Sequence, residues 1–370
     1  MNDVQPKARV LAYYLPQFHP IPENDEWWGK GFTEWTNVGK AKPLFPGHYQ
    51  PHVPADLGYY DLRVPETREA QAQLAREYGV EGFVYWHYWF GNGKRLLERP
   101  FNEVLASGKP DFPFALAWAN ETWQGFWFGA DGSRNTLIEQ TYPGDEDYIN
   151  HFYTVLPAFK DKRYITCEGK PIFIIYIPEQ MPDMQHFISL WQELAKQNGL
   201  KGICFIAHQR GRNDKESVQR SLDDRLCEGF DAINVLNPWL PFIRMPLWNR
   251  LLRKFFYKNE KFRLIPDLRP YSPELFSCAM DDDERVFPTV MPDWDHTPRT
   301  GKKGLMLYGS TPEKFGGIVN QIVEDVSCKS FEKRFLFVKS WNEWAEGNYL
   351  EPDLKWGHAY GEALKKAVIG

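Results

Sequence analysis

Several features that mark common protein classes are missing from this 370-residue sequence. Its five cysteines are odd in number and scattered without a C-x-x-C spacing, which argues against a disulfide framework or a cysteine zinc site. No run approaches the roughly 18 apolar residues of a membrane span, and the N-terminus lacks the pattern of a signal peptide. No glycine-rich phosphate-binding turn follows any apolar run. We therefore predict a cytoplasmic protein.

The sequence also lacks an excess of charge of one sign. Its 44 basic and 49 acidic residues give a net charge of −5, so no basic field supports a nucleic-acid partner. Aromatic residues, in contrast, are abundant at 16% and include 15 Trp. Flat aromatic side chains stack on sugars or bases, and the charge disfavours bases. An oligo- or polysaccharide substrate is the prediction that remains.

Short apolar runs rich in β-branched and aromatic residues alternate with longer segments of helical period. This alternation is typical of βα units around a parallel sheet. The eight runs span residues 9–15, 82–89, 113–119, 171–177, 202–208, 230–236, 286–292 and 334–341. Eight strands with intervening helices predict an α/β fold of the (β/α)₈ (TIM) barrel type.

The chain shows no internal repeat and no low-complexity linker. We therefore predict one domain over residues 1–370, with its core at about 9–360. Two long excursions, residues 16–64 after the first strand and 237–285 after the sixth, are expected to be functional loops. The first carries Trp27, Trp28, Glu34 and Trp35, which we place over the barrel mouth.

Polar and aromatic residues cluster just beyond the predicted strands, where barrel enzymes carry their active sites. Aromatic rings offer a flat face to a sugar, whereas amides, carboxylates and imidazoles bond its hydroxyl groups. The candidate substrate-binding residues are Tyr14, Gln17, His19, Trp35, His87, Tyr88, Trp118, Asn120, Glu121, Trp123, His208, Asp293, Trp294, Asp295, Arg299, Trp341, Asn342 and Trp344.

The stretch "NEWAEG" after the last run places two glutamates, Glu343 and Glu346, three residues apart. Glycosidic chemistry needs one carboxyl group as an acid and a second as a base or nucleophile. Residues three apart on a helical turn have neighbouring side chains, so a single loop can present both. Burial among aromatic residues would raise the pKa of one of the two. Glu121, at a different strand end, remains an alternative member of the pair.

Five stretches resemble the WbsX family, glycosyltransferases of bacterial surface-polysaccharide clusters, whose domain is similar to glycoside hydrolase family 99. They are "LAYYLPQFHPIPENDEWWGKGFTEWTNV", "GFVYWHYWF", "FALAWANETW", "PDWDHTPR" and "KSWNEWAEGNYLEPD". The resemblance runs from about residue 9 to 360 and implies a (β/α)₈ barrel without a metal or nucleotide cofactor.

Family 99 contains retaining, endo-acting α-mannosidases and mannanases. The resemblance implies that one glutamate deprotonates the sugar 2-hydroxyl group, which closes onto the anomeric carbon, while a second glutamate three residues later is the general acid. In "NEWAEG" the first role falls on Glu343 and the second on Glu346. The leading prediction is therefore an enzyme that cleaves α-linked bacterial surface glycans with retention and without metal.

Two other functions remain open from the sequence. One is a nucleotide-sugar glycosyltransferase of O-antigen or capsule (lipopolysaccharide) synthesis, in which Asp293, Asp295 and His296 would hold Mg²⁺ or Mn²⁺. The other is a catalytically inactive glycan-binding barrel. The sequence carries no prediction of the sugar, the linkage or the oligomeric state.

A basic amphipathic segment lies in the second excursion. Residues 247–261 place apolar side chains on one helical face and Arg or Lys on the other. Such a helix can bind an anionic membrane, which would give peripheral contact with the inner membrane. Packing of the apolar face on the barrel is the alternative. Flotation with anionic liposomes distinguishes the two.

Overall fold

The computed structural model describes residues 5–125, 136–210, 214–236 and 265–370. All eight predicted strands are present, with end points shifted by a few residues, and all are parallel neighbours in one sheet. In chain order they are β1 (Arg9–Tyr14), β2 (Gly82–Trp89), β3 (Phe114–Trp118), β4 (Lys170–Ile175), β5 (Cys204–Arg210), β6 (Ala232–Leu236), β7 (Val286–Val290) and β8 (Phe335–Val338).

The sheet closes on itself. Strand β1 pairs with β2 on one side, with Leu11 opposite Gly82, and with β8 on the other, with Arg9 opposite Phe335. The remaining strands pair in chain order. Closure removes both sheet edges and confirms the predicted (β/α)₈ barrel.

Helices lie between the strands. They are α1 (Pro22–Trp28), α2 (Glu34–Lys40), α3 (Pro65–Glu77), α4 (Arg99–Ser107), α5 (Asp145–Phe159), α6 (Met184–Gln197), α7 (Lys215–Cys227), α8 (Thr297–Thr300), α9 (Pro312–Val326) and α10 (Ala359–Val368). Of these, α1, α2 and α8 belong to segments at the barrel mouth, and the others pack on the outside of the barrel. Helix α3 begins at Pro65, whose fixed φ suits the first turn, and the chain leaves it through Gly79 at φ 80°.

Successive residues of each strand point alternately into the barrel and outward to the helices. In β1 the Tyr13 hydroxyl group donates to the Asn234 side chain across the barrel at 2.7 Å, so Tyr13 points inward. Its neighbour Tyr14 donates to Gln71 of α3 at 2.7 Å, so Tyr14 points outward. This alternation decides which strand residues can reach a site in the barrel mouth.

The first excursion contains α1 and α2, and its chain crosses the barrel mouth. The second lies largely outside the described residues, and so does the amphipathic segment 247–261; its membrane contact stays a prediction. The described part that follows forms the strand Asp267–Pro270, which pairs with Leu305–Tyr308. None of the helices that the structure describes is long and apolar enough to cross a membrane.

Candidate active site

A cavity of 170 Å³, hereafter the first cavity, opens at the carboxyl end of the barrel strands. Barrel enzymes carry their active sites at this end. Aromatic side chains form much of the wall, and carboxyl groups lie among them. The lining residues are Leu15, Gln17, Trp28, Trp86, Tyr88, Ala119, Glu121, Thr122, Trp123, Gln124, Leu137, Tyr176, Arg299, Lys339, Glu343 and Glu346.

The two predicted glutamates lie on a tight hairpin that follows β8. The short strands Asn342–Glu343 and Asn348–Tyr349 pair antiparallel, and one 3₁₀ turn, Trp344–Glu346, connects them. Side chains three apart on such a turn lie one above the other. Both glutamates therefore reach the first cavity from a single loop.

The hairpin is fastened to the barrel by polar side chains. Asn342 accepts the backbone N–H of Leu15 at 2.8 Å and donates to its carbonyl oxygen. The Ser340 hydroxyl group accepts the backbone N–H of Glu343 at 2.9 Å. These bonds hold the backbone that carries the carboxyl groups, so their positions do not depend on a mobile loop.

Gly347 allows the hairpin to turn next to the segment after β7. Its φ is 59°, in the left-handed region, and an added Cβ would lie 2.8 Å from the backbone nitrogen of Asp295. That same nitrogen donates to the carbonyl oxygen of Glu346 at 2.6 Å. A side chain at position 347 would break this contact and displace Glu346.

A buried carboxyl group, Glu351, fixes the far side of the hairpin. It accepts hydrogen bonds from the Tyr60 hydroxyl group, the Gln71 amide and the Trp344 indole, at 2.9, 2.6 and 2.6 Å. Trp344 also stacks on Tyr349, with ring centroids 3.7 Å apart. Burial raises the pKa of Glu351 to about 7.

Replacing Glu351 with alanine is expected to lower the free energy of unfolding by about 3 kcal/mol, because three buried donors lose their acceptor. The folded state raises the pKa of Glu351, so its contribution is present at low pH and is lost as the pH rises through about 7. The penalty should therefore be largest near pH 5. Urea denaturation measures it, with exposed Glu69→Ala as control. A penalty equal to that of the control would contradict the network.

The carboxyl groups of Glu343 and Glu346 share a side-chain hydrogen bond, so the pair carries a proton. Burial, together with the charge of Glu346, raises the pKa of Glu343 to about 8. Burial also opposes ionisation of Glu346, but the Arg299 charge and the bond to Glu343 outweigh it and lower the Glu346 pKa. In the free site the proton therefore rests on Glu343, and Glu346 is ionised.

Arg299 is the cation that keeps Glu346 ionised. It donates from one guanidinium nitrogen to Glu346 and forms an ion pair with the fully buried Glu34 of α2, at 3.1 Å. A buried carboxylate is costly unless it is paired, and Arg299 pairs two of them at once. The excursion after β1 thus contributes a carboxylate directly behind the catalytic candidates.

A second cation, Lys339, enters the first cavity from the end of β8. Its side chain is buried, and its Nζ lies 5.2 Å from the centre of the Trp294 ring. No carboxylate among the described residues lies within ion-pair distance of it. Burial opposes its charge, but Glu343 and other neighbours raise its pKa, so Lys339 stays charged. Its charge in turn lowers the pKa of Glu343.

Tryptophan and tyrosine rings form the floor beneath the carboxyl pair. The Trp86 indole donates to Glu343 at 3.0 Å and stacks on Tyr13 at 4.7 Å between ring centroids. Tyr176 meets Trp86 at 5.1 Å, and the Arg210 guanidinium lies over the Tyr176 ring at 4.1 Å. This wall combines flat apolar faces with hydrogen-bonding groups, as a sugar ring requires.

Seven of the residues predicted from the sequence line the first cavity: Gln17, Tyr88, Glu121, Trp123, Arg299, Glu343 and Glu346. Burial raises the pKa of Glu121, which makes no hydrogen bond to either glutamate of the pair among the described contacts. It is therefore a wall residue near the pair and not a partner in the shared proton.

Four predicted residues do not reach this cavity because they occupy outward positions: Tyr14, His87, Trp118 and Trp341. The Nε2 atom of His87 lies 2.8 Å from that of His151 in α5, and burial lowers the pKa of His87 to about 3. Trp118 packs edge-on against the same His151. Trp341 packs on Phe83, outside the barrel. We leave them out of the site proposed below.

Other predicted residues bond to the protein itself. Asn120 accepts the backbone N–H of Ile177 at 2.8 Å, Asn342 bonds Leu15 as described, and His19 lies 3.0 Å from a carbonyl oxygen three residues earlier. Trp35 donates to the carbonyl of Tyr60 and packs on Trp344. His208 lies inside the barrel, 4.9 Å from the Tyr176 ring and 6.5 Å from the Tyr13 ring, and does not line the first cavity.

The side chains of Asp293, Asp295 and His296, the candidate metal ligands in "DWDH", do not point to a common position. Asp295 lies 2.8 Å from the His48 ring and also accepts from Gln50, whereas the His296 ring is 3.8 Å from Glu346. Asp293 and Asp295 line a different cavity. Within the described ranges, no three His, Cys, Asp or Glu groups are arranged to hold a metal ion.

The prediction by residue type missed three important lining residues: Trp86, Tyr176 and Lys339. The alternation of strand residues would have found Trp86 and Lys339. Trp86 shares the inward face with Tyr88, two positions later, and Lys339 is two positions beyond the inward Phe337, which stacks on Tyr13. Because every second residue of a strand points inward, Trp86 and Tyr88 point into the barrel, whereas His87 between them points outward.

Comparisons with known proteins agree with this fold. A family model described as glycosyltransferase WbsX matches residues 10–364. Two proteins named WxcX and described as uncharacterized, from Xanthomonas campestris pv. campestris strains B100 and ATCC 33913, are each 35% identical to this chain. The alignments cover 98% of this chain, which spans about half the length of these curated relatives.

Among solved structures, a glycoside hydrolase-like protein has a TM-score of 0.58 at 14% identity, over 99% of this chain and 95% of that one. The GH99 endo-alpha-mannosidase from Bacteroides thetaiotaomicron, in complex with bis-tris-propane, has a TM-score of 0.57 at 12% identity, over 97% of this chain and 96% of that one. At these identities the likeness establishes a shared barrel. Since the family model spans most of the sequence, the chain belongs to the glycosyltransferase WbsX family.

Proposed function

We propose that this chain cleaves an α-glycosidic bond of a bacterial surface glycan with retention, using Glu343 and Glu346 as its catalytic pair and no metal. The observation that carries the proposal is the shared hydrogen bond between these two carboxyl groups in an aromatic cavity at the carboxyl end of the barrel. Trp28, Tyr88 and Trp123 would hold the sugar, and Gln17 and Glu121 would bond its hydroxyl groups.

The contact between the two carboxyl groups favours one form of the reaction. Retaining glycosidases that attack the sugar directly keep their carboxyl groups about 5 Å apart, with the anomeric carbon between them. Here the two carboxyl groups lie on one turn and hydrogen-bond to each other, which suits two oxygen atoms on adjacent carbons of one sugar. One carboxylate takes the proton of the 2-hydroxyl group, whose oxygen closes onto the anomeric carbon, and the other carboxyl group protonates the leaving oxygen. Water then opens the cyclic sugar.

The roles implied by the family 99 resemblance require Glu343 as base and Glu346 as acid. In the free site the proton rests on Glu343. The shared hydrogen bond provides the route by which it reaches Glu346 as the 2-hydroxyl group of the sugar approaches Glu343. Either distribution leaves the pair with one proton, which is the charge state that the reaction needs.

The pH dependence of kcat/KM is expected to fall as the pH rises above about 8, because the pair then loses its single proton. Removing the Lys339 charge removes an interaction that lowers the Glu343 pKa, so Lys339→Met should move this alkaline limb to higher pH. Initial rates between pH 4 and 10 measure both profiles. A profile for the wild type that stays flat to pH 10 would exclude the shared proton.

The family description favours a second candidate, glycosyl transfer. The same pair can transfer a sugar when a hydroxyl group of an acceptor takes the place of water, which needs no nucleotide. A nucleotide-sugar donor would need a different diphosphate site. The two forms of transfer differ in the donor that they use.

The test is incubation of the protein with α-linked bacterial glycans, with and without EDTA and nucleotide sugars. We expect cleavage at a rate that EDTA does not change and that does not depend on a nucleotide. Proton NMR of the first product should show the same anomeric configuration as in the substrate. Transfer that requires a nucleotide sugar and persists in Glu343→Gln would overturn the proposal. Glycan binding without turnover would indicate an inactive binding barrel.

A further inference from the structure

A second cavity of 440 Å³ lies behind the catalytic hairpin. It is bounded by the segments after β7 and β8, the strand Leu305–Tyr308, helix α10 and the excursion after β1. None of the residues that the structure describes lines both cavities. The prediction of Asp293 and Asp295 as substrate-binding residues therefore points to a place other than the catalytic pair.

Only one layer of backbone separates the two cavities. Glu346 points its carboxyl group into the first cavity, and its neighbour Gly347 lines the second. Asp295 lines the second cavity and donates its backbone N–H to the Glu346 carbonyl oxygen. A molecule in the second cavity would therefore lie against the back of the loop that carries the catalytic pair.

The walls of the second cavity contain aromatic rings with hydrogen-bonding edges that the protein does not use. Tyr49, Tyr308 and Trp356 line it, and Tyr308 is 51% exposed. Among the described contacts, neither the two hydroxyl groups nor the indole N–H has a hydrogen-bond partner. Tyr360, in contrast, is already bonded to Ser310 at 2.8 Å.

The carboxyl group of Asp293 also faces this cavity and can accept further hydrogen bonds. One oxygen of Asp293 accepts the backbone N–H of Trp294 at 2.8 Å, and the other has no donor among the described residues. Burial, with smaller contributions from Asp295 and Asp353, raises the pKa of Asp293 to about 7. The cation Lys355 lies over the Tyr49 and Trp356 rings, at 4.5 and 4.9 Å.

We propose that the second cavity binds uncharged pyranose units of a glycan, next to but separate from the catalytic site. Aromatic faces cover the C–H side of a pyranose, and the unused hydroxyl, indole and carboxyl edges bond its hydroxyl groups. Among the described lining residues, the carboxyl groups of Asp293, Asp295 and Asp353 outnumber the one lysine, Lys355, and disfavour acidic sugars. The ligand class rests on the proposed function, whereas the site itself rests on the geometry of the cavity.

The test is binding of neutral and acidic oligosaccharides to the full chain by calorimetry. The probes are α-1,2-, α-1,3- and α-1,6-linked mannotriose and isomaltotriose, with trigalacturonate as the acidic counterpart. The Glu343→Gln/Glu346→Gln double variant serves as the parent, so that no probe is cleaved during the measurement. The readout is affinity, so a failure of the proposed cleavage leaves the result interpretable.

In that parent, the two added substitutions Tyr308→Ala and Trp356→Ala are expected to weaken the binding of at least one neutral probe about tenfold, corresponding to roughly 1.4 kcal/mol. Tyr153→Ala, whose ring is 48% exposed on α5, should leave this binding unchanged. Because Trp123 is proposed to hold a sugar in the first cavity, the loss caused by Tyr308→Ala and Trp356→Ala should be the same when Trp123→Ala is added to the parent. Unchanged melting temperatures exclude unfolding. The proposal is overturned if no neutral probe loses affinity when Tyr308 and Trp356 are replaced, if that loss disappears in the Trp123→Ala background, or if trigalacturonate binds more tightly than every neutral probe.

Discussion

Replacement of Glu346 by glutamine is expected to lower kcat/KM by roughly 10³-fold, because general acid–base catalysis contributes on the order of 10²- to 10⁴-fold. Glutamine keeps the shape of the side chain and an oxygen that can still accept from Arg299. It cannot give or take a proton. Glu343→Gln should have an effect of similar size, since the two carboxyl groups act as one unit.

Glu121→Gln is the matched control for this prediction. Glu121 lines the same cavity, is also buried and also has a raised pKa, but it does not share the proton of the pair. A loss of about tenfold or less is expected, mostly through KM, if Glu121 only binds the sugar. If Glu121→Gln abolished activity and Glu346→Gln retained most of it, the catalytic pair would have to be reassigned. Single-turnover rates separate binding from chemistry.

Replacement of Arg299 by methionine is expected to lower the free energy of unfolding by about 3–5 kcal/mol at neutral pH. This is the cost of breaking a buried ion pair, because Glu34 and Glu346 would be left without their shared cation. The Arg299 charge lowers the pKa of Glu346 in the folded protein, so its contribution is present above the unfolded pKa and is lost as the pH falls. The penalty should shrink towards pH 4.

A second substitution distinguishes charge from packing. Adding Glu34→Gln to Arg299→Met removes one of the two uncompensated carboxylates and should restore part of the lost stability. Glu34→Gln alone leaves Arg299 paired with Glu346 and should have a smaller effect. If the double variant were as unstable as the sum of the single ones, the ion pairs would not couple. Urea denaturation at pH 7 and pH 5 measures the set.

The barrel could be predicted from the sequence because its signal is local and repeated. Each strand is a short apolar run, and helical segments such as Pro65–Glu77 carry their own start and stop residues. Eight such units can bury their apolar faces together by closing into a barrel. The placement of Glu343 and Glu346 on one turn could also be predicted, since their spacing is a local property of the chain.

The remainder of the site depends on contacts between distant parts of the chain. Asparagine is a residue type that commonly hydrogen-bonds sugars, yet Asn120 and Asn342 both bond backbone groups of other segments of the chain. Nothing local distinguishes an amide that bonds a ligand from one that bonds Ile177. The pairing of Arg299 with Glu34, 265 positions apart, is likewise a product of the excursion crossing the barrel mouth.

The sequence by itself determined the strand count, the position of the motif with Glu343 and Glu346, and the family, because these follow from local periodicity and short motifs. The tertiary structure alone decided which face of each strand turns inward, and therefore why Trp86 and Tyr88 line the first cavity while His87 does not. It also decided how one proton is distributed over two glutamates. That distribution depends on the burial of the pair and on Arg299 and Lys339, which only the closed barrel brings beside it.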